Sequence, residues 1–110
     1  MNATMSLKAL DSLENRSVPI ASRSNGNHRH VTEDRSLWHC KTLYLHRPTQ
    51  RFYFREFGGC RMVVNNQPVW ISYQDALEWI ASEANDPVTD FGYTREQAQA
   101  MIAEATGADQ

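Results

Sequence analysis

Histidine and cysteine are the usual zinc ligands, and this chain places six of them at His28, His30, His39, Cys40, His46 and Cys60. The spacings form no close ligand pair of the finger, ribbon or knuckle kind, so the set points to two thiols and several solvent histidines rather than to a tetrahedral site. Cys40, Cys60 and His39 are the members that a metal would use. His39 and Cys40 are neighbours on a predicted strand, where successive side chains point to opposite faces, so they make no nucleophile–base pair. Glu56 is the lone acid of the central basic segment and has no second carboxylate beside it. The glycines form no phosphate-cradling motif. The expectation is a non-enzymatic protein without a cofactor.

A second constellation is aromatic and basic. The run Lys41 to Phe57 holds Tyr44, Phe52, Tyr53, Phe54 and Phe57 together with Lys41, Arg47, Arg51 and Arg55. Tyr and Arg are enriched where proteins bind one another. Aromatics interleaved with Arg also stack on splayed bases and pair with phosphates. The candidate partner-binding set is Tyr44, His46, Arg51, Tyr53 and Arg55, joined by Trp79 and Glu83 from a predicted acidic helix. For Trp79 the alternatives are packing on the sheet edge or an exposed anchor inside an acidic rim.

These side chains need a scaffold. Residues 42–46 and 51–57 have the period of two that marks strands, and Arg47-Pro48-Thr49-Gln50 is a turn. Setting His46 opposite Arg51 puts Leu45 against Phe52 and Leu43 against Phe54 on one face. The other face then carries Thr42, Tyr44, His46, Arg51, Tyr53 and Arg55, and a slip of one residue would scatter both sets. Gly58-Gly59 ends or bulges the second strand, Arg61–Val64 reads as a third, Asn65–Pro68 as a turn, and Val69–Ile71 as a short fourth strand or the approach to a helix.

Ser72 is an N-cap, and Tyr73, Ala76, Leu77, Ile80, Ala81 and Ala84 recur on one helical face. Asn85-Asp86-Pro87 stops that helix. Thr94-Arg95-Glu96-Gln97 fits a capping box, followed by an apolar stripe at Ala98, Met101, Ile102 and Ala105 and a stop at Gly107. The predicted fold is α+β, an antiparallel sheet of three to four strands packed on two C-terminal helices. Residues 1–36 read as an irregular N-terminal arm, flexible or ordered by a partner, with one or two helical turns at Leu7, Leu10 and Leu13. Residues 37–110 read as the folded domain.

The net charge of −2 hides a division. Residues 1–36 carry +1, residues 37–70 carry +4 and residues 71–110 carry −7. A chain so divided has two electrostatic faces, a property that bears on partners rather than on fold. The run of apolar residues needed to span a membrane is missing, and two cysteines are too few for a disulfide framework. A cytoplasmic protein is expected. A core this small favours a homodimer or an obligate partner.

The strings Thr-Leu-Tyr at 42–44, Arg-Phe-Tyr-Phe at 51–54 and Ala-Leu-Glu-Trp-Ile at 76–80 resemble a strand, turn, aromatic strand and Ala-x-x-Trp helix pattern in small uncharacterised bacterial proteins. No activity comes with the resemblance, which implies a bacterial, plasmid or phage accessory protein. The leading expectation is a protein-binding regulator or inhibitor, anti-CRISPR-like in kind, facing a basic surface with its acidic helices. The alternatives are a nucleic-acid-binding domain that uses the sheet and a zinc-stabilised small domain.

Overall fold

The computed structural model describes residues 4–24, 39–58, 65–81 and 93–107. In chain order these form α1 (Leu7–Asn15), β1 (Ser17–Ser24), β2 (His39–His46), β3 (Arg51–Gly58), β4 (Asn65–Ile71), α2 (Tyr73–Ala81) and α3 (Arg95–Thr106). The strands make one antiparallel sheet in the order β1-β2-β3-β4. The α+β class expected from the sequence is the class observed.

The central hairpin has the register that its side chains require. His46 pairs with Arg51, Leu45 with Phe52, Tyr44 with Tyr53 and Leu43 with Phe54. The turn is closed by the Gln50 N–H donating to the His46 carbonyl at 2.7 Å, and Gln50 takes a left-handed φ of 56°. Leu43, Leu45, Phe52 and Phe54 are buried under Ala76, Leu77 and Ile80 of α2 and Ala98, Ile102 and Ala105 of α3. Burying a large apolar side chain stabilises by about 1.5–3 kcal/mol, so this one face holds the sheet to the C-terminal helices.

Both helices start as their sequences direct. The Ser72 hydroxyl accepts from the Asp75 N–H at 3.0 Å. Thr94 and Gln97 form the reciprocal capping box, with bonds of 3.1 and 2.9 Å. Gly107 caps α3 in a right-handed conformation, so its lack of a side chain is not what ends the helix.

The N-terminal region departs from the expected irregular arm. Residues 7–15 are helix, and residues 17–24 are the edge strand beside β2. Ser6 caps α1 by accepting from the Ala9 N–H. Its apolar residues Leu10 and Leu13 are buried, while Leu7 stays exposed. Nine helical residues span about 14 Å, the width of three strand spacings, so α1 is long enough to cross the sheet. The Met5 N–H and carbonyl bond the Gln67 side chain on β4 at one end. At the other end, the Ser17 hydroxyl donates to the Leu13 carbonyl at 2.7 Å. The sheet is thus covered by α2 and α3 on one face and by α1 on the other.

Two further differences concern strands. The stretch 65–68, composed like a turn, is the first half of β4. The β3–β4 register is irregular between Phe54 and Glu56, as expected where Pro68 has no N–H to give the ladder. The expected strand at 61–64 lies outside the described residues, as do Glu83, Cys60, His28 and His30.

Candidate interaction surfaces

The face opposite the apolar core carries a row of rings in register across three strands. Tyr44 pairs with Tyr53, and Tyr53 with Trp70. The Tyr44 and Tyr53 rings stack at 5.2 Å and 12°, and Trp70 lies 5.0 Å from Tyr53. Cross-strand aromatic pairs of this kind each add roughly 0.2–1 kcal/mol to a sheet.

This row is largely closed to partners. Tyr53 has no exposed surface, and its hydroxyl donates to the Ser17 hydroxyl at 2.7 Å. Burial pushes its phenol up to about 12, against the lowering effect of that hydrogen bond. Arg55 is 5 % exposed and pairs with Glu14 at 2.8 Å, with its guanidinium 5.1 Å from the Phe57 ring. Tyr44 is half-buried, and burial followed by the nearby Glu14 charge raises its phenol pKa. Tyr53 and Arg55, expected to meet a partner, instead lie inside the protein under α1.

Trp79 is likewise not a free-standing anchor. Its ring meets Phe54 edge-on at 4.9 Å, and the Arg23 guanidinium lies 4.9 Å over it while bonding the Trp79 carbonyl. The ring lies against Phe54 of the interior strand β3 and Arg23 of the edge strand β1.

His39 and Glu56 sit together on the helix-covered side of the sheet. The His39 Nε2 lies 3.0 Å from the Glu56 carboxylate, and the Lys41 ammonium 3.6 Å from its other oxygen. The hydrogen bond from His39 holds the Glu56 carboxyl below its ordinary pKa, opposed by burial and helped by Lys41. Cys40 is a half-buried free thiol that points to the other face. Among the described residues, no three His, Cys, Asp or Glu side chains converge as a metal centre would require.

What remains exposed divides by charge. The outer sides of α2 and α3 present Asp75, Glu78, Glu96 and Glu104 against Arg95. The turn end of the opposite face presents Arg16, Arg47 and Arg51, none with an acidic partner among the described residues. The Arg47 N–H bonds the Arg16 carbonyl at 3.0 Å, which ties the end of α1 to the hairpin turn. Arg51 lies 4.5 Å over the Trp70 ring, and His46 meets the same ring edge-on at 6.0 Å. Burial first, then the charges of Arg16 and Arg51, lower the His46 pKa. Arg16, Arg47 and Trp70 were outside the sequence-derived set. Their signal is the pairing of Tyr53 with Trp70 and the α1 turn into β1, which needs β1 to be known.

Comparison with protein-family profiles, curated proteins and solved structures finds no match to this chain.

Proposed function

We propose that this chain is a non-enzymatic protein-binding regulator or inhibitor that works in the cytoplasm by docking its acidic helical layer on a basic surface of another protein. The observation that carries this reading is the exposure of Asp75, Glu78, Glu96 and Glu104 on α2 and α3 with only Arg95 among them. Such a layer steers encounter with a cationic surface and repels polyanions. It imitates the charge of nucleic acid, so a nucleic-acid-binding protein is the kind of partner that it would occupy. Small anti-defence proteins of phages and mobile elements, anti-CRISPRs among them, work in this way. The proposal places the chain with accessory proteins of bacteria or phages.

Binding of nucleic acid on the sheet has less support, because its stacking platform is occupied by α1. Tyr53 is fully buried and Arg55 nearly so. A zinc-stabilised domain would have to draw on Cys60, His28 or His30, outside the described residues.

The test is affinity capture from host extract with the wild-type chain and with the Glu78→Lys/Glu104→Lys variant. Neither substitution touches a first helical turn, so the helix starts are kept. A partner retained by the wild type, lost on the variant and released by added salt supports the proposal. Capture indifferent to both sinks it, and a partner that is itself nucleic acid moves the assignment to the second reading.

A further inference from the structure

The turn end of the sheet concentrates positive charge that no described acidic side chain neutralises. Arg16, Arg47 and Arg51 are exposed and have no acidic partner among the described residues, while Lys41 and Arg55 are paired. The corner is also ordered in advance. Arg51 lies over Trp70, His46 meets the same ring, its Nδ1 is 2.7 Å from the Thr49 hydroxyl, and Arg47 is bonded to Arg16 through the backbone. A guanidinium already held over an indole loses less freedom on pairing with a carboxylate. Trp and Arg in a preformed group are the residue types that dominate protein interfaces.

We infer that this corner binds the acidic helical layer of a second copy of the chain. The complement is on the same molecule: α2 and α3 carry four exposed carboxylates with one Arg among them. A polyanionic nucleic acid fits less well, because the chain carries a net charge of −2. Corner and helical layer lie on opposite sides of the sheet. Each copy therefore gives its corner to the helices of the next, a head-to-tail contact that leaves one corner and one helical layer open at the ends of the assembly. The small core of the chain gains from such burial. Self-association also occupies the layer offered to a partner, so dilution or a tighter-binding basic surface would free it.

The experiment measures solution mass by light scattering across concentration and salt, then with charge-reversed variants. The wild type should move from multiples of the 12.6 kDa chain mass toward a single chain as salt rises. Its association should weaken at least about tenfold between low and high ionic strength. Arg47→Glu/Arg51→Glu and Glu78→Lys/Glu104→Lys should each be monomeric alone, and mixing them should restore association, because each contact between unlike variants then joins opposite charges. Circular dichroism checks that each variant is folded, and the salt dependence of the wild type decides the matter without any variant. A wild type that stays monomeric at all concentrations overturns the inference. So does an assembly indifferent to salt and to both reversals, or a mixture that stays monomeric. None of these outcomes bears on capture of a different partner.

Discussion

Arg55, in the middle of β3, meets Glu14 at the end of α1 with a nitrogen–oxygen distance of 2.8 Å, across 41 positions of sequence. The Arg55 side chain is 5 % exposed and the Glu14 side chain 31 %. This contact ties the N-terminal helix to the centre of the sheet, and it does so with a cation that has almost no access to water. Its Nε is without a hydrogen bond partner in the described structure, so Glu14 is the main compensation for the buried charge. Removing one member of such a pair leaves an uncompensated charge and costs about 3 kcal/mol, at the low end for buried pairs because Glu14 is partly solvated. Glu14→Ala should lose that much in urea unfolding, while the double change Glu14→Leu/Arg55→Met should recover most of it. A single variant as stable as the wild type would mean that α1 does not rest on Arg55 in solution.

The phenol of Tyr53 makes the covered face sensitive to alkali. Its pKa stands at about 12, raised mainly by burial, with the Ser17 hydrogen bond acting against the rise. In the unfolded chain an ordinary phenol gives up its proton near pH 10, before the folded one does. The stabilisation is therefore whole below about pH 10 and falls by up to about 3 kcal/mol as pH rises toward about 12. Tyr53→Phe lacks this loss but also lacks the hydrogen bond, which is worth about 1 kcal/mol. The two stability curves should cross, with the wild type more stable at neutral pH and the variant more stable near pH 12. Urea midpoints taken across that window decide it, since curves that stay parallel would mean a solvated Tyr53.

Gln50 is the only described residue other than glycine with a positive φ, at 56°. A side chain there costs about 1 kcal/mol through the crowding of its Cβ. The Gln50 side chain returns part of this by donating to the Arg47 carbonyl at 2.9 Å, in an exposed position where such a bond is worth little. Gln50→Gly should leave the hairpin register unchanged and raise stability by up to about 0.5–1 kcal/mol. A thermal melt of the variant checks the sign, and a lower midpoint would make the side-chain bond the larger effect.

The same balance of local and distant causes explains what could be read from the sequence. The hairpin 42–57 was legible because its alternation is strict: one slip would expose Leu43, Leu45, Phe52 and Phe54 together, all buried in the structure. The starts of α2 and α3 were legible from Ser72 and the Thr94–Gln97 box, which act within four residues. Strand β1 was not. Its register shifts between Pro19 and Ala21, which breaks the period of two, and Pro19 suits only an edge. With β1 and the docking of α1 unread, Tyr53 and Arg55 looked like a surface, and Arg51 was not joined to Arg16 and Arg47. Trp79 shows the converse, for its helical position leaves its surroundings open and only Phe54 and Arg23 fill them.

His46 reports on that corner directly. Burial lowers its pKa, and the charges of Arg16 and Arg51 lower it further. In an NMR titration its midpoint should fall below the ordinary value of about 6.5. Added salt should move it upward by screening the two guanidinium groups. Arg51→Ala should also raise it, without restoring the ordinary value, because burial is the larger cause and persists. Since the folded state then holds the proton less well than the unfolded one, His46 favours folding above about pH 6.5, and that contribution is lost as pH falls through its depressed midpoint. Carboxylates arriving from a second copy would act in the opposite direction and stabilise the imidazolium. The midpoint should therefore rise with protein concentration in the wild type and stay fixed in Glu78→Lys/Glu104→Lys. A midpoint unmoved by salt and by Arg51→Ala would mean that the guanidinium charges do not act on His46.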